Sequence, residues 1–545
     1  MICSNAHHPP PMPCIALHRI SFWRHQAVRD WLSFSCNRWC NRQNVGMTHQ
    51  NDTLTPVTST YRWLAAFCIF MVLIGPASAE ETPPWPQFRG PNSQGVARDA
   101  ASYPDRLNPA RNLLWKTPAP GGMSSPIVAG DRVFVTGIDD KQRLQTLAID
   151  RSTGRLLWRK EAPAEKIEKV YHANSPAASS PASDGQRVFA YFGSYGLICY
   201  DFEGRELWKK PIPSMPRGFG SATSPVIVGD KLLLNGQGKD SHLAAFRVSD
   251  GELQWKVDKP TYPSDYPAPV VWKRDGVDEV ILPGAGGVAA YDLRDGSRHW
   301  WLGGLSVQAV PIAVIGDGTI FVTSYLPGGD IDHRLELPEF DDMLKKFDKD
   351  ADGKLAAAEV PRDFVIYHRG GDGGVGDMTV HNIFGRFDTN GDRKIERVEW
   401  KAIITAFDNT VLAIRPKGNG QIDKSSVLWE QKKAIPEVPS PLLYQGHLYL
   451  VKNGGLVACY EAKSGKLLYY DRLGAGGLYY ASPVAADGKV YMSSLKGVVS
   501  VVKAGDSLEV LSRTNLGEEI AGTPALAGGT VYVRTRDHVW AFGAR

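Results

Sequence analysis

Residues 125–158 read SPIVAGDRVFVTGIDDKQRLQTLAIDRSTGRLLW, and this stretch decides the fold. Apolar residues alternate at period two in four short runs, SPIVAG, DRVFVTG, LQTLAID and RLLW, which are separated by residues that favour turns. Such alternation predicts β-strands with one buried face, because a helix would place apolar residues every three or four positions. The stretch therefore predicts a four-stranded sheet.

The head of this stretch, a small residue followed by proline, recurs along the chain. The pair stands at Ser125-Pro126, Ser180-Pro181, Ser224-Pro225, Ala268-Pro269, Val310-Pro311, Ser440-Pro441, Ser482-Pro483 and Thr523-Pro524. Successive prolines are 55, 44, 44, 42, 130, 42 and 41 residues apart. A fixed period in the forties is typical of repeat folds, in which each unit buries its apolar face against the next unit.

A second marker repeats with the same phase, a turn glycine that precedes a large aromatic residue by four positions. The pairs are Gly154 and Trp158, Gly204 and Trp208, Gly251 and Trp255, Gly296 and Trp300, and Gly465 and Tyr469. Glycine supplies the positive φ that tight hairpins require. We predict that the last two strands of each unit form a hairpin. We also predict that the aromatic residues are core side chains wedged between units, not a cofactor site.

Eight such units predict an all-β fold, an eight-bladed β-propeller with four strands in each blade. The eighth unit, which begins at Pro524, contains only three strand runs. NLLWKT at residues 112–117 has the same tryptophan and stands before the first unit. We predict that this N-terminal strand completes the eighth blade and closes the ring.

The repeats AIDRSTGRLLW (148–158) and YEAKSGKLLY (460–469) resemble the pyrroloquinoline quinone (PQQ)-like propeller repeat. That family includes quinoprotein alcohol dehydrogenases and a bacterial propeller scaffold that assists outer-membrane assembly. WPQFRGPNSQGVA (85–97) is similar to the start of exported propellers of this kind in planctomycete-type bacteria. The resemblance covers most of the chain after residue 84. It implies the propeller fold, and it leaves the activity open.

Residues 1–79 are predicted to be an N-terminal extension and signal peptide. Arg62 precedes the apolar run Trp63–Ile74, and the small residues Ala77-Ser78-Ala79 follow it, which is the layout of an export signal with its cleavage site. We expect cleavage before Glu80 and a periplasmic or extracellular protein. The apolar run is short for a membrane span, so we expect no stable span in the mature chain, with a retained anchor as the alternative.

Loss of residues 1–79 changes the charge and cysteine totals. The segment carries six arginines against two aspartates, so its removal leaves equal numbers of acidic and basic residues. This balance gives no support for a nucleic acid partner. Only Cys199 and Cys459 remain, and their apolar strand positions predict small core residues. Met47 rather than Met1 is the expected start, because a signal peptide lies near the N-terminus.

The step of 130 residues in the fifth unit exceeds the period by about 88 residues. From 326 to 407 the strand alternation stops, and two acidic loops appear. We predict propeller segments at 80–325 and 408–545, separated by an α-helical EF-hand pair at 326–407. The segments predicted to be helical are 339–347, 356–367, 379–387 and 397–407.

The first acidic loop, DKDADGKLAAAE at residues 348–359, matches the calcium loop of an EF-hand position by position. Such a loop surrounds a hard cation with oxygens at positions 1, 3, 5, 7 and 12 and needs a glycine at position 6. The ligands would be Asp348, Asp350, Asp352, the carbonyl of Lys354 and the carboxylate of Glu359, with Gly353 at the turn. Leu355 at position 8 predicts a short strand that pairs the two loops. The alternative is a solvated surface turn.

The second loop, DTNGDRKIERVE at residues 388–399, departs from the pattern at one position. Its ligands would be Asp388, Asn390, Asp392, the carbonyl of Lys394 and Glu399, with Glu396 acting through water. Arg393 replaces the glycine at position 6, and a left-handed backbone there costs on the order of 1 kcal/mol. We therefore expect one or two bound calcium ions, the second held more weakly.

The insertion follows the second strand run of blade five (319–325) and precedes the third (410–416). We expect it to overhang the mouth of the central channel, together with the connections between blades. Polar and aromatic residues on those connections are His172, Asn174, Arg217, Tyr262, Tyr266, Gln308, Glu437, Tyr479 and Tyr480. They predict a site for an unidentified protein or a small polar ligand.

Three functions are compatible with the sequence. The favoured one is an exported calcium-binding propeller that acts as a binding or scaffold protein. The alternative is a quinoprotein, a PQQ-dependent alcohol or sugar dehydrogenase, although its cofactor and catalytic residues cannot be placed and the mature chain has no adjacent cysteine pair. A hydrolase is the third, and the sequence shows no nucleophile elbow, HExxH motif or paired-carboxylate signature for it.

Overall fold

The computed structural model describes residues 84–544 apart from nine short gaps. The gaps are 215–218, 239–240, 260–265, 285, 307–308, 326–336, 368–377, 389–391 and 407–408. The predicted signal peptide and its cleavage site lie outside the described residues. Four predicted site residues do so as well, namely Arg217, Tyr262, Gln308 and Asn390.

The described strands form eight blade sheets, one for each predicted unit, and each contains four antiparallel strands, with a fifth, parallel strand added in blade four; the eight-bladed propeller is therefore confirmed. In chain order the strands up to blade four are β1 (Leu113–Pro118), β2 (Ile127–Ala129), β3 (Arg132–Ile138), β4 (Leu144–Asp150), β5 (Leu156–Glu161), β6 (Ala182–Ser183), β7 (Arg187–Phe192), β8 (Gly196–Asp201), β9 (Glu206–Pro211), β10 (Val226–Val228), β11 (Lys231–Gly236), β12 (His242–Arg247), β13 (Leu253–Asp258), β14 (Val270–Arg274), β15 (Val277–Gly284), β16 (Gly287–Asp292) and β17 (Arg298–Gly303).

Blade five contains the insertion, and blades six to eight return to the regular pattern. The remaining elements are β18 (Val314–Gly316), β19 (Thr319–Ser324), α1 (Phe340–Phe347), β20 (Leu355–Ala356), β21 (Val365–Tyr367), β22 (Met378–Thr379), α2 (Val380–Phe387), β23 (Lys394–Ile395), α3 (Arg397–Ala406), β24 (Thr410–Ile414), β25 (Gly420–Gln421), β26 (Val427–Gln431), β27 (Leu442–Tyr444), β28 (His447–Lys452), β29 (Leu456–Glu461), β30 (Leu467–Arg472), β31 (Val484–Ala486), β32 (Lys489–Ser493), β33 (Val498–Lys503), β34 (Glu509–Asn515), β35 (Ala525–Ala527), β36 (Thr530–Arg534) and β37 (His538–Gly543).

The ring is closed by the strand that the sequence predicted. Strand β1 pairs antiparallel with β37, with Lys116 opposite Trp540 and Thr117 opposite Val539. Blade eight is therefore built from both ends of the propeller, in the order β1, β37, β36 and β35.

The recurrent aromatic residues lie between blades, as predicted. An indole on the outer strand of one blade donates its N–H to a backbone carbonyl at a turn of the next blade. These bonds are Trp115 to Arg151, Trp158 to Phe202, Trp208 to Val248, Trp255 to Leu293 and Trp429 to Ala462, at 2.7–3.0 Å. A Cβ on Gly154 would lie 2.6 Å from the Trp115 ring, so the turn glycine makes room for the indole of the preceding blade.

The residue before each repeated proline forms a second set of links around the channel. Its backbone N–H donates to the hydroxyl of the corresponding residue in the next blade. The bonds are Ser125 to Ser180, Ser180 to Ser224, Ser440 to Ser482, Ser482 to Thr523 and Thr523 to Ser125, at 2.9–3.0 Å. In blade five the donor is Ile312, which reaches Ser440 at 3.1 Å. Ala268 and Val310 have no hydroxyl, so this hydroxyl ring has six members.

Among the described residues, the interface between blades four and five is one of three without a tryptophan link of this kind. Trp300 donates instead to the buried carboxylate of Glu279 within its own blade, at 3.2 Å. Burial of Glu279 opposes ionisation, yet hydrogen bonds from Arg274, His299 and Trp300 hold its pKa below the usual value. Strand β25 adds in parallel to β17, so main-chain pairing joins these two blades.

The N-terminal segment 85–96 crosses the channel and contacts the inner strands of several blades. The backbone of Trp85 pairs with Val128 of blade one, and Val96 bridges Ala485 of blade seven. Between these two contacts, side-chain amides of the segment form hydrogen bonds with the backbone of inner strands. Gln87 accepts from the N–H of Ile227, Asn92 donates to the carbonyl of Val271, and Gln94 accepts from the N–H of Ile315. The segment satisfies edge groups that the short inner strands leave open.

Arg89 anchors the same segment. It is fully buried and donates to the carbonyl of Pro441 at 2.6 Å. Burial lowers the pKa of Arg89 to about 9. The segment thus reaches blade six as well, and it forms the floor of the channel.

The insertion has a hydrophobic core of its own. Helix α1 buries Phe340, Met343 and Phe347, which recur at helical spacing along one face. They join Ile395 and Trp400 in a cluster formed by residues of the insertion alone. The two loops are joined through β20 and β23, where Leu355 pairs with Ile395 as predicted.

One predicted helix of the insertion is wrong. Residues 356–367 form two turns followed by strand β21. The turns are closed by backbone hydrogen bonds from the N–H of Glu359 to the carbonyl of Ala356 and from the N–H of Phe364 to the carbonyl of Pro361. Pro361 explains the difference, because proline has no N–H to donate and disfavours helical backbone in the residue before it.

Two smaller expectations concern cysteines and membrane crossing. Cys199 and Cys459 are buried free thiols. Burial raises the pKa of both thiols, and the pKa of Cys459 is raised to about 12. Their role as small core residues is confirmed. Within the described part of the chain, none of the helices combines the length and apolar character that a membrane crossing demands.

Candidate metal centre and channel cavity

The first acidic loop brings its predicted carboxylates together. One carboxylate oxygen from each of Asp348, Asp350 and Asp352 lies within 4.8 Å of the others. Glu359 turns back over the loop, where it accepts from the N–H of Lys349 at 2.9 Å and of Ala356 at 2.8 Å. The side chains at positions 1, 3 and 5 are therefore clustered, and the residue at position 12 is oriented by backbone donors.

The second loop repeats these internal bonds at equivalent positions. The N–H at position 6 donates to the aspartate at position 1, from Gly353 to Asp348 and from Arg393 to Asp388, at 3.0 and 2.9 Å. The N–H at position 7 donates to the aspartate at position 5, from Lys354 to Asp352 and from Lys394 to Asp392, at 2.9 Å in both loops. The N–H of Glu396 donates to Glu399 at 3.0 Å, as Ala356 does to Glu359. At these described positions the two loops have equivalent hydrogen bonds.

Each loop also contains a buried oxygen that suits a cation. Oδ1 of Asp348 and Oδ1 of Asp388 are buried and accept no hydrogen bond from any residue that the structure describes. A buried acceptor without a partner is costly, and a hard cation would satisfy both of these oxygens. The donor set therefore fits calcium, which takes six to eight oxygen ligands.

The loops differ at position 6, where the sequence predicted backbone strain. Gly353 has φ of 80° and Arg393 has φ of 63°, so the arginine adopts the left-handed conformation. That part of the prediction is confirmed. Whether the second site is weaker stays a prediction.

Two lysines cross between the loops. The ammonium of Lys354 in loop one lies 2.8 Å from Asp392 and 2.5 Å from Glu396 of loop two. Lys394 of loop two reciprocates, with Asp350 at 3.1 Å and Asp352 as partners. The carboxylates of Asp392 and Glu396 raise the pKa of Lys354, and those of Asp352 and Asp350 raise the pKa of Lys394. Each loop thus places a positive charge on candidate ligands of the other.

The second candidate site is a cavity of about 230 Å³ in the central channel. The hydroxyl ring surrounds it, and Phe88 of the N-terminal segment lines it from the floor. Aromatic walls come from Phe219, Tyr266 and Tyr480, and Glu437 contributes a carboxylate. Burial raises the pKa of Tyr480, and the negative charges of Glu437 and Glu519 raise it further.

The predicted mouth residues have different fates. Asn174, Tyr266, Glu437 and Tyr480 line the cavity together, although they come from different blade connections. Tyr479 does not, because it is fully buried and donates its hydroxyl to the carbonyl of Ala475 at 2.6 Å. Burial raises the pKa of Tyr479.

Exposed apolar side chains form a rim beside the cavity. Tyr171, Phe219 and Leu478 are between 43% and 45% exposed, and Phe219 and Leu478 also line the cavity. The Tyr171 ring lies 5.3 Å from Phe219 and 4.0 Å from His172, measured between ring centroids. We call Tyr171, His172, Phe219 and Leu478 the rim. Exposed apolar groups of this kind mark interaction sites.

Sequence reasoning missed two components of the cavity. The repeated serines were recognised as markers of the repeat and not as channel-lining hydroxyls. Phe88 was recognised only as part of a family-like opening segment. The spacing of the Ser-Pro pairs was the available signal for the ring, whereas the position of Phe88 depends on how the N-terminal segment crosses the channel.

Eight four-stranded blades, closed by an N-terminal strand around a lined channel, define a β-propeller built from PQQ-like repeats. The family model described as outer membrane protein assembly factor BamB matches residues 110–219, 148–306 and 383–508. These matches cover more than half of the chain, which therefore belongs to this family.

Individual relatives are distant. The chain is 26% identical over 178 residues to outer membrane protein assembly factor BamB of Burkholderia pseudomallei, a match that covers 32% of this chain and 41% of that protein. The structure of BamB from Moraxella catarrhalis covers 79% of this chain and 98% of its own, at 11% identity and a TM-score of 0.46. Quinohemoprotein alcohol dehydrogenase from Comamonas testosteroni covers 86% and 82%, at 13% identity and a TM-score of 0.41.

Proposed function

We propose that this protein is an exported binding or scaffold propeller, which takes its partner at the channel mouth and carries calcium in its insertion. One observation carries the proposal. The cavity is closed below by the chain's own N-terminal segment, and exposed apolar side chains form a rim beside it. A concave pocket with a few polar groups among apolar walls is the usual form of a binding site.

Calcium binding is supported by the equivalent geometry of the two loops. Both loops place a buried, unpartnered aspartate oxygen at position 1 and a glutamate at position 12 that accepts from the N–H of position 9. The ion would be structural, because the helices and short strands of the insertion are joined by these loops. Export into a calcium-containing compartment is supported by the predicted signal peptide.

A protein partner at the rim is supported by family membership and by the side chains. The Burkholderia relative is named an outer membrane protein assembly factor. Tyrosine and phenylalanine are enriched in protein interfaces, and Tyr171 and Phe219 together with Leu478 are exposed at the rim. We also propose that the insertion lies above the mouth of the central channel.

The quinoprotein alternative fits the cavity poorly. PQQ carries three carboxylates, and the strongest partners for a carboxylate are charged donors such as arginine, lysine or protonated histidine. The described lining of the cavity contains Glu437 and no lysine, arginine or histidine. We therefore assign no quinone chemistry to these residues.

Calorimetric titration of the metal-free chain with PQQ, with and without calcium, tests this choice. We expect no saturable heat from PQQ in either case. Saturable, calcium-dependent quinone binding would contradict the proposal and would favour an alcohol or sugar dehydrogenase. An absorption spectrum of the purified protein supplies an independent check, since a bound quinone absorbs in the near-ultraviolet or visible range.

A further inference from the structure

One segment at the floor of the channel forms hydrogen bonds with every blade. We call residues 85–99 the floor segment. Its partners are backbone groups, which in the order of blades one to eight belong to Val128, Ser183, Ile227, Val271, Ile315, Pro441, Ala485 and Gly528. Apart from the bond of Arg89 to blade six, the contacts follow the order of the chain, so the segment runs once around the channel axis. The inner edges of the blades thus offer it a set of backbone donors and acceptors.

The floor segment combines main-chain and side-chain bonds. At its start, the backbone of Trp85 exchanges two hydrogen bonds with Val128, at 2.8 and 3.1 Å. In its middle, the side-chain amides of Gln87, Asn92 and Gln94 reach backbone groups of blades three, four and five, at 2.7–3.0 Å. Any extended peptide can add main-chain bonds to a strand edge, whereas side chains set the preference for a sequence. The three amides therefore select among peptides.

Packing within the floor segment restricts the sequence further. The Trp85 side chain is fully buried. Gly90 lies against it with φ of 68°, and a Cβ on Gly90 would lie 2.5 Å from the indole ring. Arg89 and Ser93 adopt left-handed backbone, with φ of 59° and 58°, so the bound segment has one specific shape. The floor thus fits this sequence and not extended peptides in general.

The ring has its own closure, which does not involve the floor segment. Blade eight is completed by the pairing of β1 with β37. Neighbouring blades are joined by indole bonds and by the hydroxyl ring, and these groups lie outside residues 85–99. The floor segment is connected to β1 through residues 100–112, which include an exposed turn at 109–111. The floor is therefore a peptide site that the closed ring offers and that a neighbouring part of the chain fills.

We propose that the channel floor is a peptide-binding surface, which recognises the N-terminal segment of a second copy of this chain once its own segment is released. Exchange of an identical element between copies reuses the same bonds and needs only a hinge, here the exposed turn at 109–111. The inference does not rest on the proposed function, which concerns the rim and the calcium loops.

Peptide exchange in a cleavable chain tests this surface. A recognition sequence for a site-specific protease replaces residues 109–111 in the chain that begins at Glu80. Cleavage then leaves the N-terminal fragment held by noncovalent bonds alone. The probe is a fluorescent peptide of residues 84–108, which represents the segment of a second copy. We expect the cleaved chain to keep its circular dichroism and its fragment, and the labelled peptide to replace that fragment saturably, as measured by fluorescence anisotropy.

Variants of the labelled peptide test whether the floor reads the sequence. We expect Trp85→Ala to weaken binding at least about 100-fold, because it removes a large buried aromatic. Gln94→Ala should weaken it about tenfold, since it leaves the N–H of Ile315 without its acceptor. Arg106→Ala is the matched control, because Arg106 is exposed, and its binding should stay within about twofold of the natural peptide.

Three results would overturn the proposal. Loss of the circular dichroism of the ring on cleavage would show that the floor segment is part of the ring and not an occupant of it. A folded, cleaved chain that never exchanges its fragment, even in denaturant just below the unfolding transition, would show that the floor does not accept a second copy. Equal binding of the natural and Trp85→Ala peptides would show that capture does not depend on the sequence of the floor segment.

Discussion

The propeller ring and the insertion are each held together by a different kind of polar interaction. In the ring, neutral indole N–H groups and hydroxyls meet backbone atoms of the next blade. In the insertion, two acidic loops face each other, and the ammonium groups of Lys354 and Lys394 lie on the carboxylates of the opposite loop. Because neutral bonds to the backbone need no counterion, we expect the ring to be stable without metal. If calcium binds as proposed, we expect the insertion to depend on it.

The largest effect is expected from breaking a neutral link of the ring. Trp208→Ala removes an indole packed between blades two and three, together with its bond to Val248. Loss of a large buried aromatic costs about 3–5 kcal/mol of unfolding free energy, and because Trp208 is only partly buried we expect about 3 kcal/mol. Chemical denaturation followed by circular dichroism measures this cost, and calcium affinity should not change.

The neighbouring Leu207→Ala is the matched control, because Leu207 lies on the same strand and is 49% exposed. Its cost should stay within about 0.5 kcal/mol. Equal costs for the two variants would show that the indole does not join the blades.

On the insertion side, Glu359→Gln should act on calcium and not on the ring. Replacing the carboxylate at position 12 by an amide removes one of its two oxygen ligands and the negative charge of the group. We expect the calcium affinity of loop one to fall about 100-fold, which corresponds to about 2.7 kcal/mol. Calorimetry measures the affinity, and Asp363→Asn, an exposed acid outside the loop, is the control. A Glu359→Gln protein with two unchanged sites would argue against the assignment of loop one.

A smaller loss is expected at the hydroxyl ring. Ser180→Ala leaves the backbone N–H of Ser125 buried without its acceptor. An unsatisfied buried donor costs about 1–3 kcal/mol, which denaturation will report. Ser507→Ala replaces an exposed serine and should cost less than about 0.5 kcal/mol. Similar results for both serines would mean that the ring bonds contribute nothing to stability.

A substitution at the strained position of loop two, Arg393, should improve its calcium affinity. Arg393→Gly removes both the left-handed strain, on the order of 1 kcal/mol, and a positive charge near the ion. We expect calcium to bind loop two about fivefold more tightly, as measured by calorimetry in the Glu359→Gln background. Arg393→Ala separates the two causes, since alanine removes the charge and keeps the strain. If alanine matches glycine, charge and not backbone conformation limits the second site.

The smallest effect concerns the crossed lysines. Lys394→Met removes a positive charge from Asp350 and Asp352 while the carbonyl at position 7 remains. Exposed ion pairs are weak, so calcium affinity of loop one should rise only about two- to threefold in the Glu399→Gln background. Lys349→Met removes a charge from loop one itself, and it serves as the control. If Lys349→Met raises the calcium affinity more than Lys394→Met does, the ion pairs between the loops do not limit calcium binding.

The propeller could be predicted from the sequence because its interblade contacts repeat. Within a blade, the turn glycine and the tryptophan of the outer strand are separated by the same number of residues each time. In the structure, the indole of one blade packs against the turn glycine of the next blade. The closing strand was predictable for the same reason, since Trp115 takes the position that Trp158 takes one blade later.

The cavity and part of the insertion could not be predicted in this way. The cavity residues come from most of the blades and from Phe88, so they meet only once the ring has closed. Tyr479 and Tyr480 are neighbours in sequence, yet only Tyr480 lines the cavity. In residues 356–367 the match to an EF-hand suggested a helix, whereas Pro361 excludes one. The prediction followed the EF-hand pattern and gave too little weight to the steric effect of Pro361 on the residue before it.

The most direct test of a calcium-carrying propeller is a calorimetric titration of the metal-free chain with calcium. We predict saturable heat from two sites in the natural chain and none in a protein that carries Glu359→Gln and Glu399→Gln together. The double variant should keep the circular dichroism and the unfolding free energy of the ring. The absence of heat in the natural chain, or equal heat in the double variant, would contradict the account.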